Sequence, residues 1–187
     1  MVRSYRGATV SIIGALERVP LARVRRALQR HGAKLSRRIE TDTRFTVIAH
    51  GAVGRLAQGR LKPVILQAGS SLVTEHRFLN DLGLRARPIT KARDYDRVTF
   101  AAASRLTRRE RFWLELFDVI EPQRGFYDFH DLILARQIRM VIDAGVPLAD
   151  VIGAAIAFRR KAAREAEQRP ALPPPLADGE LITGIGT

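Results

Sequence analysis

The sequence predicts two modules in series: an α/β module with element order βαββαβα, then a mainly α-helical one. Two observations predict this. Up to about residue 84, short β-branched runs alternate with helix-period stretches, the pattern of strands covered by helices. From about residue 94 such runs give way to helix caps and breakers. At 187 residues and 46% hydrophobic, the chain can bury one good core or two small ones.

Ala8 to Ile13 is β-branched and reads as a strand ending at Gly14. A helix begins near Pro20, a residue suited to a first helical turn, sets Leu21, Val24 and Leu28 on one face, and stops at Gly32. Lys34 to Arg37 forms a short strand and Phe45 to Ala49 another, closed by Gly51. Arg60 to Ala68 forms a helix, Ser71 to Thr74 a fourth strand, and Glu75 to Leu82 a last helix.

That order, with Gly14 after the first strand, His31-Gly32 after the first helix and the closing run Glu75 to Leu82, resembles the BRCT domain over residues 5–84. Phe78 stands where many eukaryotic members carry Trp, closer to the style of bacterial NAD-dependent DNA ligases. The resemblance implies a four-stranded parallel sheet with flanking helices, used for recognition in repair or replication proteins and without catalysis of its own. Phosphopeptide-binding members place Ser or Thr just before the first glycine; here that place is Ile13, so specific phosphopeptide binding is not expected.

Charge points to a polyanion. Lys and Arg outnumber Asp and Glu by 32 to 19, a net charge of +13. Only four of the cations are Lys, so an Arg-rich genomic bias is an alternative source of this excess. Residues 1–92 hold 18 Lys and Arg against 5 Asp and Glu, while residues 93–169 hold 14 against 12. Arg23, Arg26 and Arg30 share one helical stripe. Together with Arg37, Arg38, Arg60 and Lys62 they form a candidate phosphate-contact patch or simply a solvated basic face.

Residues 85–93 contain Pro88 and little apolar periodicity, so they read as a linker. Val98 to Ala103 can form a helix and Ser104 to Leu106 a turn. Thr107 and Glu110 then make a Thr-x-x-Glu capping box. On the helix that follows, Phe112, Trp113, Leu116 and Phe117 form the expected buried face, and Arg108, Arg109 and Arg111 crowd its first turns. A turn at Asp118, a small wing around Gly125, an N-cap at Asp128 with Asp131 in the first turn, and a stop and restart at Gly145 and Pro147 complete the module.

Trp113 to Pro122, then Gly125 to Leu132, then Asp143 to Ile152 resemble the MerR-type winged helix over residues 97–158. The resemblance implies a recognition helix whose N-terminal end enters the major groove, where guanidinium groups meet guanine edges or phosphates. The DNA-binding set it implies is Thr107, Arg108, Arg109, Arg111, Arg124 and Tyr127. Two positions depart from the family: Asp118 holds the usual glycine turn, and Tyr127 stands where the wing usually presents an Arg. No long coil or effector domain is evident before the Pro-rich stretch of 169–187, so a homodimer is allowed rather than specified.

Cysteine is absent, which excludes disulfides and thiolate chemistry. His31, His50, His76 and His130 show no metal-ligand spacing, and no nucleotide-binding loop or nucleophile elbow occurs. The expectation is therefore no enzyme, no metal and no cofactor. A cytoplasmic, nucleoid-associated location is expected, with no membrane partner. Two functions remain: a bacterial duplex-DNA-binding transcriptional regulator, or an adaptor of repair or replication whose BRCT-like module binds a protein partner.

Overall fold

A computed structural model describes residues 5–67, 69–85 and 94–168. Apart from Arg85, the expected linker lies outside the described residues, as does the expected Pro-rich tail. The first lobe runs β1 (Thr9–Ile13), α1 (Leu21–Arg30), β2 (Lys34–Ser36), β3 (Thr43–Ile48), α2 (Val53–Ala57), α3 (Leu61–Gln67), β4 (Ser71–Thr74) and α4 (Glu75–Asp81). Its four strands are all parallel in the order β2-β1-β3-β4, so the lobe is α/β with flanking helices.

Strand alternation sends side chains to two different layers. Val10, Phe45, Val47 and Val73 face α1 and α4, where Val24, Leu28, Phe78 and Leu79 close one core. Ile13 and Ile48 face the other way, toward Ala52 and Leu61. That second face also buries Thr9, Ser11 and Thr46, each satisfied: Thr9 by Asp42, Ser11 by the Arg38 carbonyl and Thr46 by Ser70.

The stretch after β3 differs from expectation. Instead of simply closing a strand at Gly51, residues His50–Ala52 form one 3-10 turn that runs into α2. The cause is a close backbone crossing between the ends of β1 and β3. A Cβ on Gly14 would lie 2.4 Å from the Ala52 nitrogen, and one on Gly51 would lie 2.7 Å from Ala15. The Ala49 amide bonds the Ile13 carbonyl at 2.9 Å, and the Gly51 amide bonds the Ala15 carbonyl at 3.1 Å. These contacts fix His50 at the C-terminal edge of the sheet.

The second lobe comprises α5 (Arg97–Ser104), α6 (Arg108–Leu116), α7 (Phe129–Asp143) and α8 (Leu148–Gln168). The expected Thr107–Glu110 capping box forms, and the expected N-cap Asp128 makes a second capping box with Asp131. Between α6 and α7, Gln123 and Phe126 exchange backbone bonds across a two-residue turn, Arg124-Gly125, whose positive φ values of 54° and 87° suit a tight hairpin. Tyr127 in turn pairs with Tyr95.

The lobes share a core. Phe100, Trp113, Leu114, Phe117, Ile120, Leu132 and Ile152 form one cluster with Ile13, Ile48, Ala52 and Leu61 of the sheet lobe. Burial across this seam resists separation, because opening it would expose apolar surface at about 25 cal/mol per Å². Among the described residues no helix is long and apolar enough to cross a membrane.

Candidate nucleic-acid interface

Helix α6 starts where its cap dictates. The Glu110 amide donates to Thr107 Oγ1 at 3.2 Å, and the Thr107 amide donates back to Glu110 Oε2 at 2.7 Å. Arg139 from α7 then holds the Glu110 carboxylate at 3.0 Å. This arrangement leaves Arg108 and Arg109 exposed on the first turn, with no ion pair to any other described residue. Thr107 is exposed beside them. The positive end of the helix dipole faces the same way, so the terminus favours an anion such as a phosphate.

Three expectations fail here. Arg111 does not face outward: its side chain is 12% exposed and pairs with Glu115 at 3.5 Å one turn along the helix. Phe112, expected in the core, is 42% exposed instead. Trp113, Leu114, Leu116 and Phe117 fill the buried arc, and a 100° step per residue leaves Phe112 outside it. Tyr127 is 1% exposed and stacks on Phe100 at 3.8 Å between ring centroids. Its hydroxyl donates to Glu115 Oε1 at 2.6 Å, so it has no reach to a phosphate. Burial, then the Glu115 carboxylate, push its phenol up to about 12, against the opposing pull of Arg97. Arg124 is exposed at the hairpin tip, as a wing contact requires.

The basic patch divides. Arg23, Arg26 and Arg30 are exposed and line an open depression along α1, which covers the sheet face opposite the helical lobe. Arg37 and Arg38 are exposed just beyond β2. Arg60 and Lys62 are exposed at the turn from α2 to α3. Leu56 of α2 lines one cleft of about 430 Å³ with Thr107, Arg109, Glu110 and Trp113. The α2 end of the sheet lobe therefore stands next to the open end of α6, and the α1 stripe does not.

The opposite end of α6 is closed by a buried polar network that no sequence spacing announces. Asp118, at φ 55°, occupies the left-handed position at which the helix ends, and its side chain turns into the seam. Its Oδ2 accepts from the His76 amide at 2.9 Å and lies 3.1 Å from His50 Nε2. His50 Nδ1 meets Glu17 at 2.6 Å, and His76 Nδ1 meets Glu121 at 2.6 Å. Glu75, 1% exposed, accepts from the Glu17 and His50 amides at 2.7 Å each. From α8, Arg160 pairs with Glu17 at 3.0 Å, and Arg159 donates to the carbonyls of Asp118 and Val119.

Burial opposes a charge on His50, but Asp118, Glu75 and Glu17 outweigh it and raise its pKa. Glu17 and Glu121 are likewise held below the usual carboxylate range despite burial, by His50 with Arg160 and by His76 with Arg85 and Arg159 respectively. His50, His76 and Asp118 each bring one metal-ligating atom into a set no wider than 4.8 Å.

One sequence signal was available. Glu17 follows β1, His50 follows β3 and His76 follows β4, so all three gather at the C-terminal edge of parallel strands, where open α/β sheets place ligands. Compared with known proteins, the chain matches no family model and no curated protein.

Proposed function

We propose that the protein binds duplex DNA, as a bacterial transcriptional regulator that presents α6 to the major groove in the manner of a MerR-like winged helix. The carrying observation is the capped N-terminus of α6, with Arg108 and Arg109 exposed and unpaired among the described residues. The three-residue connection from α5 and the hairpin tip at Arg124 supply the turn and wing of this reading. The sheet lobe, whose strand order accords with a BRCT-like module, adds phosphate contacts through Arg60 and Lys62 beside α2 or recruits a partner. The protein is then a nucleoid-associated binder without catalytic chemistry.

An adaptor role draws support from a different feature. Met140 on α7 and Phe158 on α8 are 71% and 73% exposed, which suits a protein partner or a second copy.

A fluorescence titration of labelled duplex at two salt concentrations tests DNA binding. The log of the affinity should fall against log salt by about 0.9 for every phosphate neutralised. Replacing Arg108 and Arg109 with Ala should remove roughly 1–3 kcal/mol of discrimination for each base pair they read bidentately. An affinity for a selected target equal to the parent's at matched salt would transfer the assignment to the adaptor.

A further inference from the structure

We propose that His50, His76 and Asp118 form a binding site for a zinc-class transition-metal dication that clasps the helical lobe onto the C-terminal edge of the sheet. Two imidazoles and a carboxylate match the donor preference of such ions. Zinc holds nitrogen at about 2.0–2.1 Å and carboxylate oxygen at about 2.0–2.2 Å, which places neighbouring tetrahedral ligands roughly 3.3 Å apart. His50 Nε2 and Asp118 Oδ2 already stand 3.1 Å apart. The three ligand atoms all lie within 4.8 Å of one another.

A second observation is independent of that spacing. The His50 ring carries a carboxylate on the nitrogen away from Asp118: Nδ1 meets Glu17 at 2.6 Å. Metal-ligating histidines are held this way, because a carboxylate accepting one ring N–H fixes the tautomer and leaves the other nitrogen's lone pair for the metal. Nε2 is then the ligating nitrogen of His50, whereas His76 turns Nδ1 to the site, 4.0 Å from Asp118 Oδ2 and 2.6 Å from Glu121 Oε1.

The site is also rigid where a metal needs rigidity. His50 is locked by the crossing of Gly14 and Gly51, and Asp118 by the left-handed turn and by Arg159. The ligands come from both lobes, so one ion joins them. Glu121, beside His76 Nδ1, would complete four-coordination.

The test is a titration of the metal-stripped full chain with Zn²⁺ against a chromophoric chelator, alongside thermal melting. One equivalent should bind, and the melting temperature should rise with free zinc, as for any ligand that binds only the folded state. Glu17→Gln should weaken binding about 10- to 100-fold through loss of the carboxylate that orients His50. His76→Gln and Asp118→Asn should abolish it, whereas His31→Gln and His130→Gln should leave it intact. Should Asp118→Asn fail to fold, His76→Gln at the seam's edge, checked for native circular dichroism, decides the matter. Absence of zinc binding by the parent, or binding that persists in folded His76→Gln or vanishes in His31→Gln or His130→Gln, would overturn the site.

Discussion

The two ends of α6 are built on opposite principles. At the N-terminal end, a cap made from local sequence satisfies the backbone and leaves Arg108 and Arg109 in solvent. At the C-terminal end, Asp118 is 3% exposed and answers to partners 42 and 68 residues away in sequence. One end is available for an outside partner. The other holds the helix in place, so a contact made at the open end is referred to a fixed frame rather than to a swinging one.

Breaking the closed end should produce the largest effect. Asp118→Ala strips the buried carboxylate from both the His50 ring and the His76 amide, and each donor left unpaired costs about 1–3 kcal/mol. Urea unfolding of parent and variant measures it. Asp118→Gly should be less harmful by about 1 kcal/mol, since glycine removes the left-handed backbone penalty while losing the same carboxylate. Equal losses for both would mean that φ at this turn carries no strain.

The open end should respond in binding instead. Single replacement of Arg108 or Arg109 by Ala should leave stability within about 0.5 kcal/mol while weakening duplex binding. Arg111→Ala should do the reverse, because that side chain is packed against the helix it belongs to and pairs with Glu115. Its expected loss is about 1 kcal/mol of stability through lost packing and pairing, at an unchanged ratio of specific to nonspecific affinity. If Arg111→Ala relaxed specificity, the division of the helix into two ends would be misplaced by one turn.

Thr107→Ala comes next in size, at about 1 kcal/mol for loss of an N-cap. It also loosens the frame around Arg108 and Arg109, so a small loss of duplex affinity should accompany it. Thr107→Ser, which keeps the cap oxygen, should recover both.

Much of the fold was legible because its signals are local. Pro20 and Gly32 bracket α1, Thr107 with Glu110 and Asp128 with Asp131 mark two helix starts, and Gly145 with Pro147 marks the break before α8. Each is decided within four or so residues by backbone hydrogen bonding. The turn of helix after β3 was not legible, because Gly51 is placed by a backbone crossing with Ala15 rather than by its own neighbours. The seam was not legible either, because His50, His76 and Asp118 meet only once the strand order and the docking of the helical lobe are known. Tyr127 shows the remaining limit: a turn at Gly125 was readable, but burial of the tyrosine beside it depends on Phe100 of another helix.

Tyr127 therefore gives the finest test of where the closed region stops. Tyr127→Phe keeps the stacking on Phe100 and removes the hydroxyl's interactions with Glu115 and Arg97, which still pair with each other at 3.0 Å. The loss at neutral pH should be about 0.5 kcal/mol, the low end for one hydrogen bond. Its pH dependence has a definite sign. The phenol ionises at about 12 in the fold against about 10 in an unfolded chain, so the folded state favours the protonated form. The stabilisation that Tyr127 contributes should be constant from neutral pH to about 10 and should fade as pH rises toward 12. Urea unfolding of parent and Tyr127→Phe should then converge just above pH 10 and cross at higher pH, and the phenolate absorbance of Tyr127, taken as the difference between the two proteins, should appear near 12. A phenolate appearing near 10 would place the hydroxyl in water, on the open side of the molecule, and return it to the set of groups that can meet a phosphate.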